Sequence, residues 1–161
     1  MFILDTDILS IFAKSGEIPL LQELFGDDMR VTPAIMQEIS APIDYGYEFP
    51  HAVITTIQPV QMNDEAIAHY RILSRYKKLG KGECEAIAYC KSTSSLFITN
   101  DRQARETAVQ YGVAVISLPA LLRVIIKKEI RTRDEVKVML NTMKKIDNLR
   151  LDPRVEKAIF S

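Results

Sequence analysis

The chain counts 161 residues, of which 47% are hydrophobic and 26% charged. That is the composition of an ordinary folded domain, long enough to bury a full core. Lys plus Arg and Asp plus Glu balance at 21 each, so no overall field attracts nucleic acid or membrane, and any polyanion must be held by a local basic patch.

No apolar run approaches the ~20 residues that span a bilayer. The start MFILDTD lacks the basic region and small-residue cleavage site of a signal peptide, and a cytoplasmic protein is expected. In chain order, Met1–Leu4 reads as a short buried strand, followed by a helix from about Asp7 that stops at Gly16. Leu20–Phe25 is a second helical piece and Arg30–Thr32 is strand-like. Thr32-Pro33 then supplies an N-cap and a proline at the first helical position, which places Pro33–Ser40 on a helix. Ala41–Tyr47, with Pro42 and Gly46, reads as a loop, and Ala52–Ile57 as a strand. Asn63 or Asp64 caps a helix reaching about Lys78; Gly80 and Gly82 punctuate before the helix Glu83–Lys91. Strands at Leu96–Thr99 and Val113–Ser117 flank the helix Arg102–Tyr111, and a helix Pro119–Lys128 follows. Thr132-Arg133-Asp134-Glu135 has the capping-box pattern of another helix, and Pro153–Phe160 reads as the last. Strands separated by helices predict an α/β domain with a parallel sheet.

Cys84 and Cys90 share one predicted helix about 9 Å apart along its axis, too far to bridge, and are read as small buried thiols. His51 and His69 lack partners at ligand spacing and are read as structural or exposed.

The chemistry concentrates in carboxylates. Open parallel sheets bind ligands beyond the carboxyl ends of their strands. Asp5 directly follows the first strand, and Asp101 in FITND follows Leu96–Thr99. On the helix GECEAIAYC, a turn of about 100° per residue puts Glu83 inside the apolar arc and Glu85 nearly opposite it. Glu83 is therefore expected to face inward at a helix N-terminus, and Glu85 to face solvent. Glu38 flanks the apolar side of TPAIMQEIS. Four acids from four segments, with no His or Cys partner, suit a hard divalent cation such as Mg²⁺ or Mn²⁺. Such ions activate water and stabilise displacement at a phosphodiester. Taken singly, each acid also has a plainer role: Asp7 and Asp101 as helix caps, Glu38 as a surface residue.

In order and spacing, ILDTDIL, TPAIMQEI, GECEAIAYC and FITNDRQAR resemble the motifs of PIN-domain nucleases, a bacterial branch related to the VapC toxins. The resemblance implies a three-layer α/β sandwich around a mostly parallel sheet, one domain over 1–161 with a C-terminal helical extension at about 132–161. It also implies Mg²⁺- or Mn²⁺-dependent hydrolysis of RNA by Asp5, Glu38, Glu83 and Asp101, with Thr99 orienting the centre. Asp7 matches the polar position two after the first acid, and Asn100 stands where the branch often has Asp. The loop Ala41–Tyr47 matches no motif. A toxin role with an antitoxin protein as partner comes with this branch. PIN domains often dimerise, and the apolar stretch Leu118–Ile126 is the candidate contact for a homodimer, with the chain's own core as its alternative use.

Lys81, Arg102 and Arg105 are the candidate RNA phosphate contacts, with Arg75, Lys77 and Lys78 near them. Two rivals stand beside the nuclease. ILDTD also resembles the strand-end D-x-D of haloacid-dehalogenase-type phosphatases, where Asp5 would be the nucleophile, but a later paired acid is missing and Glu83 goes unexplained. The other rival is a PIN domain that binds RNA without cutting it.

Overall fold

The computed structural model describes residues 1–75 and 78–161. Five short strands, β1 (Phe2–Leu4), β2 (Met29–Val31), β3 (Gln58–Pro59), β4 (Leu96–Ile98) and β5 (Val115–Ile116), form one sheet in the order β3-β2-β1-β4-β5. Every pairing is parallel. Ten α-helices connect and cover the strands among the described residues: α1 (Thr6–Lys14), α2 (Ile18–Phe25), α3 (Pro33–Ser40), α4 (Pro50–Thr56), α5 (Asp64–Leu73), α6 (Lys81–Thr93), α7 (Arg102–Gln110), α8 (Leu118–Lys127), α9 (Arg133–Asp147) and α10 (Pro153–Ile159). This is the α/β architecture expected from the alternation of elements.

The helix starts follow local chemistry. Asp5, Thr32, Asn63, Asp101, Ser117 and Thr132 occupy N-cap positions, each accepting from an amide of the first turn. Thr132 and Glu135 complete the capping box read in the sequence. Asp5, rather than Asp7, caps the first helix, because the strand ends at Leu4 and the chain turns at once.

Three elements differ from expectation. Within the expected loop Ala41–Tyr47, Ala41–Tyr45 winds as a 3-10 helix that Gly46 ends in the left-handed region. Ala52–Ile57 is the greater part of α4 and the residue after it, not a strand. Pro50 opens the helix, and Pro50, Val53 and Ile57 lie buried on one face at helical spacing, against α1, α2 and α3. That burial outweighs the β-propensity of Val53-Ile54-Thr55-Thr56. The third strand is only the exposed pair Gln58–Pro59 at the sheet edge, a position a proline tolerates. The helix capped by Asn63 ends at Leu73, short of the expected Lys78. Lys77 lies outside the described residues.

The core runs through both faces of the sheet. Ile3 and Leu4 of β1 and Phe97 and Ile98 of β4 are fully buried, as is Phe12 of α1. Each such side chain contributes roughly 1.5–3 kcal/mol of apolar burial. Leu121, Leu122 and Ile125 of α8 belong to the same core, so the apolar stretch considered for a dimer is largely spent within the chain. Cys84 and Cys90 are free and buried, with thiols pushed up to about 11 and about 12 chiefly by burial. Among the described residues no helix is long and apolar enough to cross a membrane.

Candidate active site

The strand order reverses between β1 and β4, where connections leave toward opposite edges of the sheet. A crevice at such a switch point is where open parallel sheets bind ligands. Asp5 follows β1 immediately, and its amide donates to Ile98 O at 2.9 Å, extending the β1–β4 ladder by one step. Asp101 enters from β4 across Thr99 and Asn100.

A cleft of about 370 Å³ opens at this place, lined by Asp5, Thr6, Asp7, Ser10, Glu38, Gly80, Glu83, Asp101 and Asp147. The four acids expected from sequence meet there, and Asp7 joins them. Asp5 is 3% exposed. Its Oδ1 accepts from Thr6 N at 2.8 Å and its Oδ2 from the Thr99 hydroxyl at 2.6 Å. Thr99 Oγ1 in turn accepts from Asp101 N at 3.1 Å, so this buried hydroxyl couples the first acid to the last. Asp101 Oδ1 caps α7 through Ala104 N at 2.8 Å, and thus serves as cap and cleft residue at once.

The remaining carboxylates are oriented in the same way. Asp7 accepts from Ile8 N at 2.7 Å and from Asn100 N at 3.1 Å, so Asn100 contributes its backbone. Glu83 accepts from Gly80 N at 3.1 Å, across the first turn of α6. Glu38 accepts from the Thr6 hydroxyl and from Gly82 N at 3.1 Å. The N-termini of α1, α6 and α7 therefore converge on the acids, and their amides and dipoles offset part of the negative charge.

They do not offset all of it. Burial, then the Asp7 carboxylate, push the Asp5 carboxyl up to about 8 against the pull of Thr99 and Thr6, with Glu83 raising it further. Burial likewise raises Asp7 and Glu83, opposed mainly by backbone amides and reinforced by neighbouring carboxylates. Among the described residues none of the five acids forms an ion pair with Lys or Arg. Crowded, partly desolvated carboxylates without a cation are the donor set that a hard divalent ion neutralises. Among the described residues no three of them already stand as a coordination shell; their oxygens are turned to amide and hydroxyl donors instead.

Glu85 corrects the sequence reading. It is 8% exposed, not in solvent, and its Oε1 accepts from Ala34 N at 2.8 Å. Helix α6 is packed on both sides, against α5 and against α3, so the direction opposite its apolar arc leads into α3. Asp147 and Ser10 in the cleft were not anticipated either. Asp147 reaches the rim because α9 packs on α1, where Lys14 Nζ binds it at 2.7 Å; no local pattern announces that contact.

The basic candidates divide. Arg105 lies near enough to lower the Asp7 carboxyl, whereas Arg102 is exposed and paired with Glu106 at 2.9 Å. Lys81 is exposed at the head of α6. Arg75 and Lys78 line a separate groove with Gln103 and Glu106.

The profile of the family DUF3368, a PIN domain, matches residues 1–161. The chain belongs to the PIN domains. PIN domains are generally nucleases, hydrolases that typically use divalent metal ions. Comparison with curated proteins returns no match. In this PIN domain, the acids stand at the carboxyl ends of β1 and β4, on the second turn of α3 and on the first turn of α6.

Proposed function

We propose that this PIN domain is an endoribonuclease that hydrolyses RNA phosphodiesters with Mg²⁺ or Mn²⁺ held by Asp5, Glu38, Glu83 and Asp101. The observation that carries the reading is the meeting of these acids, with Asp7, in one cleft at the β1/β4 switch point without an ion-pair partner among the described residues. A bound divalent cation would supply water activation and charge stabilisation at the phosphorus. The chain's own part is to hold the carboxylates: Thr99 and Thr6 orient Asp5 and Glu38, and the helix amides fix the others. Arg105, with Lys81 and Arg102, is the proposed contact for RNA phosphates beside the acids. An all-oxygen donor set favours Mg²⁺ or Mn²⁺ over Zn²⁺. RNA cleavage by the purified chain should require added Mg²⁺ or Mn²⁺; cleavage unchanged in excess EDTA would overturn the metal dependence. Metal-stimulated turnover also separates a nuclease from a domain that only binds RNA.

The resemblance of its motifs to the VapC branch extends the proposal to a toxin paired with an antitoxin protein. Expression of the chain alone should then arrest growth, and the Asp5→Asn variant should not. Equal arrest, or none, from both chains speaks against a toxin.

A further inference from the structure

Glu85 takes no part in lining the acidic cleft, yet it is buried where Glu83 is half-buried. Burying a carboxylate is costly unless its oxygens are satisfied. Ala34, the donor to Glu85, is the second residue of α3, so its amide is one of the four that a helix leaves without an internal partner. Pro33 beside it has no N–H, and the Thr32 hydroxyl reaches only Ile35 N, at 3.5 Å. Glu85 is thus the closest cap on α3.

The other helix mirrors this arrangement. Gly82 is the second residue of α6, and its amide donates to Glu38 of α3 at 3.1 Å. Each helix holds the second-residue amide of the other with a glutamate. Ala34 and Glu38 are one turn apart on α3, and Gly82 and Glu85 one turn apart on α6, so the four close a ring. The approach is tight. A Cβ on Gly82 would stand 2.7 Å from both carboxylate oxygens of Glu38, so only glycine fits there without moving that side chain.

We propose that Glu85 is a positioning residue for Glu38: by capping α3 from α6 it sets the turn of α3 that delivers the Glu38 carboxylate to the cleft. The inference rests on the reading of that cleft as a divalent-cation site. Its test is Mn²⁺ titration calorimetry on the full chain and its variants. Glu85→Ala should weaken Mn²⁺ binding roughly 10-fold or more, as loss of a group that orients a metal ligand does. Glu85→Gln, which keeps a carbonyl acceptor for Ala34 N, should restore most of the affinity. Gly82→Ala, favourable to the helix itself, should weaken binding from the opposite side of the ring by crowding Glu38. Added to Glu38→Gln, Glu85→Ala should cost nothing more.

A folded Glu85→Ala variant with wild-type Mn²⁺ affinity, even at a lower melting temperature, would overturn the inference. So would losses that multiply in the double variant, or a Gln variant as weak as the Ala variant, which would mean that the charge acts on the ion directly. Where alanine does not fold, Glu85→Met fills similar volume without an acceptor and is read in the same way. A wild-type chain that binds no Mn²⁺ overturns the metal reading and this inference with it. Wild-type binding with unaltered variants overturns this inference alone.

Discussion

Asp5→Asn should abolish RNA cleavage and, without metal, make the chain more stable. Burial and the Asp7 carboxylate raise the Asp5 carboxyl from 3.8 to about 8. Between those values the folded chain keeps a proton that the unfolded chain has released, so its stability falls as pH rises across the window. Below about pH 4 both states are protonated and this contribution is fully present; above about 8 it has gone. Asparagine does not titrate, and its carbonyl can still accept from Thr6 N, although the bond donated by Thr99 is altered. A gain of about 2 kcal/mol near neutral pH, or roughly 4–8 °C in a chain of this size, is expected in EDTA. The gain should shrink toward pH 4. Thermal melts of both chains across pH measure it, and parallel curves would show that Asp5 carries no such charge penalty.

The same group must lose its proton to hold a cation, so Mn²⁺ affinity of the wild type should climb with pH up to about 8 and binding should release protons. Asp5→Asn removes both effects together with cleavage. A phosphatase of the rival type would instead phosphorylate Asp5 covalently. Its carboxylate oxygens are engaged by Thr6 and Thr99, which suits a fixed ligand better than a free nucleophile. A trapped phospho-aspartate at Asp5, or cleavage that survives Asp5→Asn, would reverse the choice.

Glu83→Gln should reduce cleavage by more than the 10–100-fold that loss of an outer-shell group costs, while leaving circular dichroism unchanged. The substituted side-chain amide still offers a carbonyl to Gly80 N, so the first turn of α6 keeps its side-chain bond. What disappears is a negative charge facing Asp7, Glu38 and Asp101. Burial raises the Glu83 carboxyl and these neighbouring carboxylates raise it further, so the neutral variant relieves that repulsion while removing a proposed metal ligand. Single-turnover cleavage over a Mn²⁺ series measures this, and near-normal rates at saturating metal would remove Glu83 from the centre. The contrast with Glu85 is then one of kind. Substituting Gln at Glu83 should be severe because the charge is needed, whereas at Glu85 it should be mild because an acceptor suffices.

Much of this molecule is determined along the chain itself. Apolar runs of strand length, N-cap residues at helix starts and Pro33 after Thr32 specify the parallel α/β alternation and the bounds of α3. Asp5 and Asp101 could be assigned to strand ends because a strand and the residue after it are local facts. The inward turn of Glu83 follows from 3.6 residues per turn and an apolar arc on one helix. Docking decided the rest. Val53-Ile54-Thr55-Thr56 has strand propensity, and only burial of Val53 and Ile57 against neighbouring helices makes that segment helical. Asp147 enters the cleft because the helix it ends packs on α1, bringing it to Lys14 from 133 residues away in sequence. Glu85 is the clearest case. A helical projection sends polar residues to water because it counts apolar neighbours on one helix, yet α6 has a second packed side where an uncapped amide of α3 waits. Burial of a carboxylate becomes favourable only when its donor is already in place, and that donor belongs to another helix, 51 residues away.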